Sequence, residues 1–258
     1  MYRAYIRKLL RSPLFYIGIV GVLAICFTRT FQIKNLGHAK DVLREVEHLL
    51  YFDDLQKAIV IFGALPFAAN FADEWKCGVT VQCVSRVGAG KYAASNILVC
   101  FGSTFVAVLT GMLIYSGIYS TFYPFYIPDG NSLGTSYDIF IQNGAPILYL
   151  ISLVFVYAAS CGMWSVMGLM MSAFLPNKYI AVCSPFAASY AIERLTMGLP
   201  PALNMWSISI SALPWNEISL KSALLTIFYS TGFFCIIAGI CGVVFSVKVK
   251  RRIRCEIT

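Results

Sequence analysis

From Ser12 to Thr28 the chain runs for 17 residues without a charge, and apolar stretches of similar or greater length recur as far as Val247. A helix needs about 20 apolar residues to cross the roughly 30 Å hydrocarbon layer of a bilayer. Inside that layer every backbone N–H and C=O must find a partner within the protein, which leaves only helices and closed barrels. A barrel would alternate apolar and polar residues over segments of about ten, and no such alternation is present. Charged residues make up only 12% of the chain, against about 25% in a soluble domain. The expected class is therefore an all-α polytopic membrane protein.

Six spans are expected, at about 12–28, 58–75, 93–120, 146–175, 179–198 and 222–247, within one transmembrane domain over 1–258. Residues 1–11 read as an amphipathic interfacial helix. Tyr2, Tyr5, Ile6, Leu9 and Leu10 share one face, and Arg3, Arg7, Lys8 and Arg11 the other, which would rest against anionic lipid headgroups. Pro66 is expected to kink the second span, and Gly162 and Gly168 to let the fourth pack closely. The uncharged stretch from Leu199 to Trp215, with three prolines and with Trp206 and Trp215, reads as re-entrant or interfacial helices.

Charge sets the orientation. With both termini cytoplasmic, the inner segments carry 13 basic and 3 acidic residues, the outer ones 7 and 9. That is the bias of the positive-inside rule, and it accounts for the net charge of +8 without nucleic acid as a partner. The longest inner interruption is the loop 73–95, and a basic tail follows at 248–258. The outer loop through Asp129 and Asp138 carries no Lys or Arg.

The motifs that carry chemistry are sparse. Only two histidines occur, His38 and His48, on the outer 30–57 segment, whose middle repeats helically through Leu36, Val42, Leu43, Val46, Leu49 and Leu50. His38, Asp41, Glu45 and His48 fall on the opposite side and read as a solvated face, because ten helical residues span about 15 Å and keep both histidines from one ion. No metal site and no catalytic residue is expected. The nine cysteines form no disulfide framework. Asp73-Glu74 and Glu193-Arg194 sit near span ends and read as interfacial ion pairs. Gly88-Ala89-Gly90-Lys91 echoes a phosphate-binding loop, but Ser85 stands where its first glycine belongs and Tyr92 where its Ser or Thr belongs. Nucleotide binding by this chain is not expected.

With those residues in view, the chain resembles the six-span permease subunits of the type-2 ABC exporter superfamily. The likeness covers the architecture along nearly the whole chain and is most specific in the 73–95 loop. That family commonly has a Glu followed four residues later by Gly, then Ser-Arg, then Tyr-x-x-x-Lys. Glu74, Gly78, Ser85-Arg86 and Tyr92 match it, and Asn96 stands where the lysine usually lies. The resemblance implies a bacterial cell-membrane transport subunit exporting an amphiphilic peptide, lipid-like molecule or drug. It implies a separate ATP-binding subunit carrying ATP and Mg, and a second permease copy or paralogue as dimer. In that reading Glu74, Trp75, Gly78, Val79, Ser85, Arg86 and Lys91 form a coupling element on the ATPase, and the helix of Tyr2, Arg3, Tyr5, Arg7 and Lys8 helps transmit movement. An ATP-independent channel or scramblase-like protein, and less so a polytopic membrane enzyme, remain alternatives.

Overall fold

The computed structural model describes residues 2–34, 41–51, 56–128, 135–211, 213 and 219–257; Leu36, His38, Asp129 and Trp215 lie outside them. The described residues form twelve helices and no strand. In chain order these are α1 (Tyr2–Arg11), α2 (Pro13–Lys34), α3 (Val42–Tyr51), α4 (Gln56–Ala64), α5 (Asn70–Lys76) and α6 (Val79–Val87). They continue as α7 (Ala89–Tyr119), α8 (Asp138–Gln142), α9 (Pro146–Phe174), α10 (Lys178–Thr196), α11 (Met205–Ser209) and α12 (Leu220–Ile257). Four of them, α2, α7, α9 and α12, are long and apolar enough to cross a membrane.

The bundle is built around α9, which packs on α4, α7, α10 and α12 and is the most enclosed of the four. Small residues make that centrality possible. A Cβ on Gly168 would lie 2.4 Å from the Ala181 carbonyl of α10, and one on Gly162 would lie 3.1 Å from the Phe101 ring of α7. Close backbone approach of this kind is the usual source of adhesion between helices in lipid, where apolar burial gives no net drive. The close packing expected at both glycines is present.

Pro66 does more than kink its helix. α4 stops at Ala64, turns occupy residues 65–69, and α5 starts at Asn70. Local bonds from Phe67 N and Ala68 N to Ala64 O, and from Asn70 N to Phe67 O, satisfy the backbone through the break. Charges fix the broken element at both ends against α10. Lys57 pairs with Glu193, both buried, and Asp73 pairs with Lys178 at 2.8 Å. The sequence neighbours Glu193 and Arg194 therefore do not pair with each other; Arg194 instead lies 5.3 Å over the Tyr190 ring.

A polar cap covers the end of the bundle opposite α1. Asp41 caps α3 by accepting from Arg44 N at 2.8 Å, and its other oxygen accepts from Ile127 N at 2.9 Å. Val42 N and Leu43 N, left without helical acceptors, donate to the carbonyls of Pro124 and Phe125. Val42, Leu43, Val46, Leu49 and Leu50 are buried, as their spacing predicts. Two residues of the expected solvated face, Asp41 and Glu45, are buried, as is Glu47, because the chain beyond α7 and the start of α9 cover them; His48 is half-buried. Residues 199–215 contribute α11, whose Asn204 side chain caps its first N–H groups. Tyr51 donates to Ile210 O at 3.1 Å, tying α3 to the segment after α11.

Two expectations follow. Lys57→Met leaves Glu193 buried without its cation and lowers stability by about 3–5 kcal/mol, while adding Glu193→Leu restores most of the loss; thermal unfolding in detergent reads both. The Glu47 carboxyl, which accepts from the Tyr149 hydroxyl, is pushed up to about 7 by burial and by the nearby Asp138 and Asp41, against the opposing pull of the Tyr149 bond and Arg44. A raised carboxyl favours the protonated form in the fold. The cap is therefore most stable below pH 4.5 and weakens as pH rises through 7, by about 3 kcal/mol. Hydrogen exchange of α3 amides shows that slope in the wild type and a flat profile in Glu47→Gln.

Candidate functional site

At the other end of the bundle, three helices follow one another through two glycines. Gly78 at φ +70° turns α5 into α6, and Gly88 at φ +85° turns α6 into α7. Both lie in the region that side chains with a Cβ rarely adopt, so the nine-residue α6 stands between two fixed corners. Thr80 is its one buried residue among the described ones.

The corner is held by Glu74, which is 7% exposed. Its Oε2 accepts from the Tyr5 hydroxyl at 2.9 Å and the Tyr92 hydroxyl at 2.8 Å. Its Oε1 accepts from Asn70 Nδ2 at 3.0 Å and Lys8 Nζ at 3.4 Å. The donors are themselves linked. Asn96 Nδ2 donates to Tyr5 Oη at 3.3 Å and to Tyr92 O at 3.1 Å, and Asn96 Oδ1 accepts from Asn70 Nδ2 at 3.2 Å. Lys8 Nζ also donates to Asn70 Oδ1 at 2.6 Å, and the Thr80 hydroxyl lies 3.4 Å from Tyr92 Oη. Burial and the facing carboxylate raise the Tyr5 phenol well above its usual range, so it stays protonated and donates. A buried carboxylate is tolerable only when so supplied. One acidic side chain thus binds α1, α5 and α7 together, and Thr80 ties α6 to it through Tyr92.

Around this centre the surface is basic and partly apolar. Val79, Gln82, Ser85, Arg86, Val87 and Lys91 are exposed along α6 and the start of α7. Ser85 Oγ donates to Gln82 O at 2.9 Å. Trp75 is half-buried, with its ring 5.3 Å beneath the Arg252 guanidinium and 5.7 Å from Phe71. Arg252 in turn donates to Phe174 O at 2.6 Å, and Lys248 lies 4.7 Å over the Phe174 ring. Residues 248–257 accordingly continue α12 as helix and cover the end of α9.

Of the residues singled out in the sequence, Tyr5, Lys8 and Glu74 converge on one network. Gly78, Val79, Ser85, Arg86 and Lys91 point away from it on the exposed side, and Tyr2, Arg3 and Arg7 are exposed on α1. Trp75 turns toward α12 rather than joining Val79 in an outward apolar knob. Asn70, Tyr92, Asn96 and Thr80 complete the network, while Arg252 of α12 lies beside it over Trp75. The signal for the first three is their spacing: Asn70-Glu74 and Tyr92-Asn96 are polar pairs four residues apart at the edges of apolar runs.

The described residues define an all-helical protein of membrane type, with a buried carboxylate where the short helices α1, α5 and α6 meet α7. Compared with known families, with curated proteins and with solved structures, the chain finds no match.

Tyr5→Phe and Tyr92→Phe each remove a donor to Glu74 and are expected to cost about 1.5–3 kcal/mol. The double variant should depart from additivity by 0.5 kcal/mol or more in magnitude, roughly the range for groups sharing one partner. Additive losses in thermal unfolding would mean that the two phenols do not share the carboxylate.

Proposed function

We propose that the chain is the permease subunit of an ATP-driven exporter of the type-2 ABC kind, moving an amphiphilic substrate across the cell membrane. The observation that carries this reading is α6: an exposed short helix between two glycine corners, whose base is locked by Glu74 to α1 and α7. A soluble partner pressing on such a helix moves the bundle rather than bending a loop. Val79 and Val87 give that surface apolar contact, and Arg86 and Lys91 give it charge for acids on the partner.

In this reading α4–α5 and α10 are the two further spans. They run antiparallel, with charge pairs at both ends, and Lys178 to Glu193 covers about 22 Å of helix. The α11 region would then lie on the outer side, and α6 and both termini in the cytoplasm. ATP and Mg belong to the partner ATPase, and a second permease copy completes the transporter. Asn96 fits this scheme as a neutral bridge where the family commonly carries a lysine, since its amide both donates to Tyr5 and accepts from Asn70.

Purification in mild detergent tests the assignment. An ATPase with an intact phosphate-binding loop is expected to accompany the chain, and its stimulation should fall at least tenfold with Arg86→Glu or Glu74→Gln while membrane insertion persists (on the order of 1.4 kcal/mol of coupling). An ATPase that never co-purifies, or one that both variants stimulate as strongly as the wild type does, would sink the proposal.

A further inference from the structure

A cleft between α1 and the α2–α7 pair plays no part in the reading above. It encloses about 230 Å³ and is lined almost wholly by apolar side chains. Leu9, Phe15 and Val99 form its buried floor, and Tyr2 and Leu10 stand exposed at its edge. Of its two hydroxyls, that of Ser103 is already donated to Cys100 O at 3.0 Å, and that of Tyr2 belongs to the exposed edge. Gly102 opens the wall: a Cβ there would meet no protein atom within 4 Å. Among the described residues no neighbouring helix fills the space.

The charge beside the cleft says what does. On α1, Arg3 and Arg7 follow Leu10 and Ile6 around the helix and are exposed, as is Arg11. Among the described residues no carboxylate pairs with any of these three arginines. Arg3 and Arg7 are one helical turn apart, close enough for one anionic group to bridge both. An acyl chain entering the cleft leaves hydrocarbon for hydrocarbon, so shape retains it and charge selects it.

We propose that this cleft holds one acyl chain of an anionic phospholipid, with its phosphate gripped by Arg3 and Arg7. The bound lipid seats α1 against α7 one turn from the Tyr5 and Lys8 contacts to Glu74, and so steadies the same joint from the lipid side. This requires only that the protein be membrane-embedded; it is independent of any ATPase.

The test is native mass spectrometry of the detergent-solubilised full chain, titrated with phosphatidylglycerol or phosphatidylcholine of identical acyl chains. One phosphatidylglycerol per chain is expected, bound about 30-fold tighter than phosphatidylcholine, as two basic residues at an anionic headgroup imply. Arg3→Gln/Arg7→Gln should bring the two lipids level, and Gly102→Leu, which fills the cleft without a clash, should lower occupancy by both; circular dichroism checks that each variant keeps its helix content. Equal affinity of the two lipids in the wild type, or unchanged occupancy in Gly102→Leu, overturns the proposal. So does a lipid-independent dimer that Gly102→Leu dissociates, since the cleft would then seat a second copy.

Discussion

A carboxylate removed from water must be met by donors wherever it sits, and in this molecule that requirement organises one whole end. Glu74 collects two phenols, an amide and an ammonium from α1, α5 and α7. α1 has ten residues, α5 seven and α6 nine, all short of the length at which an isolated helix persists in water. Lys8 is largely exposed and its ion pair adds little. The strength lies in the buried hydroxyls and amides, which would be stranded if any of the helices moved away.

The opposite end solves the same problem with different parts. The N–H groups that start α3 are taken up by Asp41 and by the carbonyls of Pro124 and Phe125, so a loop substitutes for a further turn of helix. Between the two ends, α4–α5 is interrupted, and the freed backbone groups need partners. The turn at residues 65–69 closes its own bonds, and pairs with α10 hold the element above and below it. The buried ion pair and the Glu74 carboxylate thus lie toward the two ends, with α9 and its glycines filling the middle.

How much of this was legible in the sequence follows from what each signal depends on. Uninterrupted apolar runs announce α2, α7, α9 and α12 because length and composition alone decide them. The buried Tyr5 and Leu9 on α1 were visible as an apolar stripe. Amphipathic spacing in α3 identifies its apolar face, but it says nothing of what covers the other side, where Asp41 and Glu45, expected to be solvated, are buried. Arg194 is adjacent to Glu193 in sequence, whereas its partner Lys57 is 136 residues away. Pro66 marked an irregularity, yet whether the helix bends or ends turns on whether nearby carbonyls find donors. Glu74 stood out by type, and Tyr92 and Asn96, ordinary polar residues alone, acquire their meaning only when α1 folds back over them.

α12 runs unbroken for 38 residues, about 57 Å. From its early turns the Tyr229 hydroxyl donates to Ala202 O near α11, and its late turns carry Arg252 onto Trp75 and the end of α9. A helix without a hinge behaves as a beam, and its extremities cannot shift independently. Any tilt of α12 about its middle therefore swings Arg252 against α5 while dragging the region around Ala202 the opposite way, linking two surfaces that share no direct contact.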